Sequence, residues 1–359
     1  MTPLAEVLAL IDREVKPVAP RRISLKQALH AMLAEGVIAA TRPAAPLALI
    51  DGWALSADLT RDAGGYASAP LPQMPELIET GRPMPAGADS VAPFDTVKVA
   101  HGRAEALAPV NAGDGVLAAG ADCDGSAPLR RAGDHLRSVD IAALTNAGVT
   151  QVSARAPRLR VVPVRLDPIL VSAAHLVAGD AACRGGTPDE AHGELREAFS
   201  DAGADAVVVI GGTGSGGNDA SVQTLADAGR VAVHGIALAP GETAAFGFAG
   251  SKPVLLLPGR LDAALAVWMT VGRHILQRLA GDPHAERDAA ETTTLSRKVT
   301  STVGLAEVIP VRRSGDGVEP LASRYLPFST LARSDGWILV PADSEGYSAG
   351  SRVPLRPWP

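Results

Sequence analysis

At 359 residues the chain is long enough for two or more domains, with 47% hydrophobic residues to build cores and 20% charged residues, too few for a disordered protein. Its 33 Lys and Arg against 39 Asp and Glu give a net charge of -6, without the basic face that a general nucleic-acid binder needs. The two cysteines, Cys123 and Cys183, lack the CxxC spacing of a zinc site or disulfide framework, and no apolar run is long enough to span a bilayer, so the sequence predicts a cytoplasmic protein with no membrane partner.

Residues 2–15 carry acids and a helical period, with Leu4, Val7, Leu8 and Ile11 on one side, unlike the basic and then apolar start of a signal peptide. Ser24 is placed to cap a second predicted helix over residues 25–34. Pro43 and Pro46 end that pattern. Over residues 47–124 short apolar runs alternate with Gly, Pro and Asp clusters, a β-rich composition. Helix returns over residues 138–147, with Gly148 as its C-cap.

Residues 157–281 alternate strand and helix. Strands are predicted over 159–164, 206–210, 231–238 and 253–257, and helices over 188–202, 219–228 and 261–279. This βαβ alternation implies a three-layer, mostly parallel α/β domain. After Pro283 a polar stretch leads into a β-rich tail, residues 299–359.

The run Ala206–Ile210 is a strand of the kind buried on both faces, and Gly211, Gly212, Thr213, Gly214, Ser215, Gly216 and Gly217 follow it directly. Glycines let an anion approach backbone N–H groups, and the helix beyond adds its positive dipole end. The loop formally matches GxGxxG, so a nucleotide-dependent enzyme is one reading. The next strand, however, ends in Ala239-Pro240 without the acid that a dinucleotide ribose needs. No lysine follows the glycines as in a Walker loop, and a plain solvent-exposed turn is a further reading.

Other segments carry a resemblance. Ile50-Asp51-Gly52-Trp53-Ala54 resembles the MDGYA motif of the MoeA family of molybdopterin molybdenumtransferases, related to the gephyrin E domain. Residues 79–91 (ETGRPMPAGADSV) resemble its MTGAPLPEGADAV motif, and residues 113–136 follow its stretch from GENxRRRGED into PAGTRL, with Asp122 on the final acid. Residues 211–219 resemble GGVSVGDYD. Pro240-Gly241 with Phe246-Gly247, and Leu257-Pro258-Gly259, resemble the PGKP…FG and LPGNP motifs. Residues 331–341 resemble the closing LARANGLIVLP-type strand pair.

The resemblance implies a multidomain α/β subunit. A discontinuous N-terminal helical and linker domain (1–46 and 125–156) would carry an inserted β-rich domain (47–124). A molybdopterin-binding α/β domain (157–284) and a C-terminal β-barrel-like domain (285–359) would follow. It implies insertion of molybdate into adenylylated molybdopterin with magnesium, release of AMP, and a homodimer serving other molybdenum-cofactor proteins. The expected site lies between the α/β domain of one subunit and the inserted β-domain of the other.

On this resemblance Asp51, Thr80, Asp122, Asp167 and Asp205 are the catalytic residues, with Asp51 and Asp205 as magnesium ligands. Gly211, Gly212, Thr213, Gly214, Ser215, Gly216, Asp219, Pro240, Gly241, Pro258 and Gly259 would hold the pterin. Each acid has a plainer reading: Asp51-Gly52 as a turn, Asp122 as loop, Asp205 as a solvated strand start. Asp89 reads as a turn residue, Trp268 and Met269 as core, and His135 and His234 as structural.

The departures from the family pattern fall on charge. Leu117-Ala118-Ala119 replace an arginine run, Ala239 and Glu242 replace two lysines flanking the Pro-Gly turn, and Pro163 to Pro168 replace an STGDEL motif. Arg260 and Leu261 stand for the asparagine and proline after Leu-Pro-Gly. A charge-assisted contact to phosphate contributes roughly 1.5–3 kcal/mol, so several losses weaken an oxyanion site unless Arg165, Arg184, Arg260 or Lys252 compensate. A non-catalytic molybdopterin-binding or scaffold relative is therefore the alternative to an active transferase.

Overall fold

The computed structural model describes residues 1–64, 66–214, 216, 220–282 and 291–359. Two compact units emerge, one of residues 1–35, 132–138 and 151–359, the other of residues 36–131 and 139–150.

In the first unit the stripe of Leu4, Val7 and Ile11 folds as helix α1 (Leu4–Glu14) and buries those side chains. The α/β part then runs β1 (Arg158–Pro163), α2 (Pro168–Cys183), β2 (Thr187–Glu190) and α3 (Leu195–Ser200). It continues β3 (Ala206–Ile210), α4 (Ser221–Ala228), β4 (Arg230–His234), β5 (Ile236–Ala239), β6 (Ala245–Ala249) and β7 (Lys252–Leu257). Helices α5 (Leu261–Val267) and α6 (Arg273–Ala280) close it, joined by a π-helical turn at Trp268–Gly272.

Six of these strands form one sheet in the order β2-β1-β3-β7-β6-β4. The first four are parallel, β6 is antiparallel to β7, and β4 is antiparallel to β6. Side chains alternate across it. Ala206, Val208 and Ile210 of β3 enter a core with α1, α2, α5 and α6. Val207 and Val209 enter the other, with Phe199 of α3 and Leu225 of α4. This is the expected three-layer arrangement, and its all-apolar central strand is why β3 was legible.

Where α2 meets α5 and α6, Asp180 is buried and accepts from Arg273 Nε and Nη2 and from Trp268 Nε1, each at 2.8 Å. Burial alone would raise the Asp180 carboxyl. The hydrogen bonds and charge of Arg273, with the Arg184 charge and the Trp268 bond, hold it below its ordinary 3.8.

Several expectations are corrected. The predicted strand 231–238 breaks at Gly235, whose φ of 85° turns the chain. Thus β4 pairs with β6, while β5 leaves to lie between Thr2–Pro3 and Ala306–Ser314 in a second, seven-stranded sheet. The predicted helix 188–202 gives its start to β2, an edge strand that tolerates Pro188, and only α3 is helical. The predicted helix 25–34 is reduced to a 3-10 turn, Leu25–Gln27, because Met32–Leu33 pairs as a strand with Gln151–Arg155. Helix α2 was not predicted.

The seven-stranded sheet continues through Ala306–Ser314, Gly317–Pro320, Glu291–Leu295 and Arg352–Leu355, with Gly336–Val340 beside Ala306–Ser314. Leu295, Ile309, Val318, Ile338 and Val353 form its separate core. The second unit is also β-rich. Gly52–Leu55 pairs with Glu76–Ile78 and Ser90–Ala92, and Arg103–Ala106 pairs with Ala69–Leu71 and Val97–Ala100. No helix among the described residues is long and apolar enough to cross a membrane.

Candidate functional site

Parallel strands deliver their carboxyl ends to one edge of a sheet, where ligands of open α/β folds bind. After β3 the chain turns at Gly211 and Gly212 with φ of 99° and 72°. A Cβ at Gly211 would stand 2.8 Å from Val164 Cγ2, and one at Gly212 would stand 2.3 Å from Ser221 Oγ, so both conformation and space demand glycine. Gly211 N–H donates to Leu257 O at 2.8 Å, and the Ser221 hydroxyl donates to Gly211 O at 2.9 Å. The turn is thereby tied both to β7 and to the start of α4.

Two more segments join it. Leu170, in the first turn of α2, lies against Gly211 and Gly259, which closes β7 together with the buried Pro258. Thr213 is buried, and its Oγ1 lies 3.0 Å from Thr243 Oγ1, which links the turn to Pro240-Gly241 after β5. Gly214 and Gly216 are exposed, while Ser215, Gly217 and Asp219 lie outside the described residues. Seven of the predicted pterin-binding residues, Gly211, Gly212, Thr213, Pro240, Gly241, Pro258 and Gly259, thus belong to one linked set of turns.

The two helices that open at this edge differ. Among the described residues no side chain caps helix α4; its first N–H, that of Ser221, donates to Gly212 O at 3.1 Å, which ties the helix start to the turn, and the positive end of the helix dipole faces the same edge. Helix α2 is capped by Asp167, whose carboxylate accepts from Ile169 N–H at 2.9 Å and from Leu170 N–H at 3.4 Å. The expected catalytic acid is at the right edge but serves as an N-cap.

Charge at the edge is mixed. Arg260 follows Gly259, hydrogen-bonds to the buried Asp262 at 3.1 and 2.6 Å, and stacks on Tyr325. The Asp262 hydrogen bonds, with Coulomb attraction from Asp262 and Glu242, raise the Arg260 pKa above its ordinary value. Glu242 stands where a lysine was expected from the resemblance, and its Oε2 accepts from Gly241 N–H at 2.9 Å. Of the other cations considered, Lys252 reaches the carbonyls of Phe199 and Asp201, and Arg184 pairs with Asp180 at the end of α2. Both face the amino edge and replace nothing at the turn.

Asp205, expected as a catalytic acid and metal ligand, is placed by the structure at the amino edge of the sheet, away from the turn. It precedes β3, so five strand residues separate it from the turn, roughly 17 Å at about 3.4 Å per residue. Its carboxylate accepts from Arg21 at 2.6 and 2.9 Å and from Arg158 N–H at 2.8 Å. Burial raises its pKa, but Arg21 and Arg158 outweigh it and hold the carboxyl below 3.8.

In the second unit Asp51 and Thr80 do meet. Asp51 precedes Gly52–Leu55 and Thr80 follows Glu76–Ile78, and the antiparallel register of Gly52 opposite Ile78 brings them together. Asp51 Oδ1 accepts from Thr80 N–H at 2.7 Å and from its hydroxyl at 2.9 Å, which lowers the Asp51 pKa from 3.8. Asp122 sits in an exposed turn that its own N–H closes onto Arg42 O at 3.0 Å. Asp89, directly before the strand Ser90–Ala92, accepts from Ala57 N–H at 2.8 Å. Among the described residues no three His, Cys, Asp or Glu side chains converge to hold a metal. With Asp205 committed to arginine, the described residues do not assemble the expected magnesium site.

Thr243, Asp262 and Tyr325 were not found by sequence reasoning, because each acts through a partner 30 or more positions away or has no motif of its own.

Three family models match the chain. The MoeA N-terminal region (domains I and II) covers residues 2–148, a probable molybdopterin binding domain covers 167–278, and the MoeA C-terminal region (domain IV) covers 292–358. A putative molybdopterin biosynthesis protein of Methanocaldococcus jannaschii is 33% identical over 150 residues, 42% of this chain. The chain spans only 35% of that relative's length. Molybdopterin molybdenumtransferase 1 of Mycobacterium tuberculosis is 27% identical over 328 residues, 82% of this chain and 76% of that protein. The crystal structure of a molybdopterin biosynthesis MoeA protein from Pyrococcus horikoshii matches with a TM-score of 0.73 at 22% identity, covering 100% of this chain and 99% of that one. A molybdenum cofactor biosynthesis protein from Pyrococcus furiosus matches with a TM-score of 0.59 at 18% identity, covering 100% of both chains. At such identities the structural likeness speaks to fold alone. With MoeA regions matched on both sides of a molybdopterin-binding domain, and that domain folded around the glycine turn, the chain belongs to the MoeA family.

Proposed function

We propose that this chain acts in molybdenum cofactor biosynthesis by inserting molybdate into adenylylated molybdopterin with release of AMP. The observation that carries the reading is the linked set of turns at the carboxyl edge, where Gly211 stands beside Gly259, Gly212 is tied to the start of α4 through Ser221, and Thr213 is bonded to Thr243. Backbone N–H groups in such a turn donate to the pterin phosphate without needing a lysine. Arg260, fixed by Asp262 and Tyr325, supplies positive charge at that edge. Electrostatic stabilisation of phosphate oxygens is the main protein contribution to such a transfer. Asp51, held ionised and oriented by Thr80, remains the acid assigned to the reaction. No step is assigned to magnesium. A homodimer, expected from the resemblance, and a cytoplasmic location, expected from the composition and the cysteines, are part of the proposal.

The test is to mix the purified chain with adenylylated molybdopterin and molybdate, with and without added magnesium, and to quantify AMP by chromatography. AMP released in step with molybdate supports the reading. Tight binding of the pterin with no AMP sinks it, and saturable binding of NAD in place of the pterin sinks the assignment of the turn.

A further inference from the structure

The amino ends of the same parallel strands form the opposite edge of the sheet. A cavity of about 560 Å³ opens there, between the start of β1, the start of β2 and the end of α2. Its volume lies within the ~300–1,000 Å³ typical of small-molecule sites. Ile23, Leu29, Ala156, Ala182 and Pro188 give it apolar walls. Arg21, Lys26 and Arg158 bring cations to the same walls, and no carboxylate is among the described residues that line it.

The cations are not equally occupied. Arg21 places both terminal nitrogens on Asp205. Arg158 gives Asp205 its backbone N–H and, at 3.4 Å, its Nε. The two terminal nitrogens of Arg158 and the Lys26 ammonium make no hydrogen bond among the described residues. One carboxylate therefore balances three cations, and the surplus borders an apolar bed. Such a surface favours a molecule with one anionic group and an apolar body over a cation or a fully hydrated anion.

We propose that this amino-edge cavity is a second binding site, for a small organic anion with an apolar body, separate from the turns at the carboxyl edge. Arg158 and Lys26 pair with the anionic group while Ile23, Leu29 and Pro188 cover the rest. The site carries its own reporter. Cys183 is exposed on the cavity wall, and the chain's other cysteine, Cys123, is buried.

The probe is 8-anilinonaphthalene-1-sulfonate, an aromatic sulfonate, added to the full chain. Two readouts are taken: saturable fluorescence enhancement, and the rates at which iodoacetate and iodoacetamide alkylate Cys183, located by mass spectrometry. The expected result is saturable binding that slows alkylation of Cys183 roughly tenfold at saturation, as a bound ligand covering the thiol requires. In the absence of probe the anionic reagent is expected to be favoured over the neutral one severalfold more than at a free cysteine. Lys26→Glu, on an exposed turn, and Arg158→Gln are each expected to weaken probe binding roughly fivefold or more. Probe binding that leaves Cys183 alkylation unchanged, equal binding to Lys26→Glu, or no saturable binding would each overturn the proposal.

Discussion

Thr213 Oγ1 and Thr243 Oγ1 stand 3.0 Å apart, and this one bond ties the glycine turn after β3 to the turn after β5. Thr213 is buried and Thr243 is exposed, so the inner hydroxyl depends on its partner while the outer one has water as a substitute. Thr213→Val keeps the shape and removes the bond. We expect molybdopterin binding to weaken about fivefold, the size of one hydrogen bond of about 1 kcal/mol. Calorimetric titration checks it, and unchanged affinity would separate this contact from the site.

Gly212 occupies a left-handed conformation with Ser221 Oγ against the place a Cβ would take. Gly212→Ala is therefore expected to cost about 1–3 kcal/mol of stability and to abolish pterin binding, because the turn must shift to admit the methyl group. Urea unfolding followed by titration of the folded variant measures both effects. A variant as stable as the parent would contradict the geometry.

Glu242 covers the Gly241 N–H and brings negative charge close to Arg260. Glu242→Gln keeps an acceptor for that N–H and removes the charge. Pterin-phosphate affinity is expected to rise roughly three- to tenfold at low ionic strength, with the gain shrinking as salt screens it. Titrations at two salt concentrations decide it, and a loss of affinity would assign Glu242 a positive part in binding.

Asp51 is exposed, and its pKa is lowered by the backbone and hydroxyl bonds of Thr80. A carbon-detected NMR titration should find Asp51 below the ordinary 3.8 in the parent and closer to it in Thr80→Val. An Asp51 that titrates identically in both would mean that the hydroxyl bond does not form in solution.

Asp180 is the buried acid on which Arg273 and Trp268 depend. Asp180→Ala removes the hydrogen bonds that the buried Arg273 and Trp268 give to Asp180 and should cost about 3–5 kcal/mol. Because the folded pKa of Asp180 is depressed, its contribution is complete above the unfolded value and is lost as pH falls through the folded one. The parent should therefore lose stability below about pH 4 more steeply than Asp180→Asn, which has no carboxylate to protonate. Urea unfolding at neutral pH and along an acid series tests both statements.

The parts of the fold legible in the sequence were those fixed by local pattern. Ala206–Ile210 is apolar without interruption because both faces of β3 are covered, and the stripe of α1 has a helical period. What failed was decided by distant partners. Residues 25–34 have the composition of a helix, yet His30 takes a positive φ of 64° while its N–H donates to Leu136 O. Asp205 is a catalytic candidate by the resemblance, while the arginine that pairs with it, Arg21, lies 184 positions earlier and leaves no local sign. The glycine turn could be read from its residues, but its link to Thr243 could not, since two hydroxyl groups carry no sequence signature. Likewise Lys252 and Arg260 were equal candidates until strand direction sent one to each edge of the sheet.

Gly235 divides one apolar run between two sheets, and this sets how the chain can be cut. The C-terminal match begins at residue 292, yet β5 is a buried strand whose neighbours are Thr2–Pro3 on one side and Ala306–Ser314 on the other. A chain truncated before residue 291 would leave Ile236 and Leu238 beside an unpaired row of backbone donors and acceptors, a ready template for strand exchange with another copy. The segment that a sequence match marks as a detachable module is, in the folded chain, the seal on an edge that begins 56 residues before it.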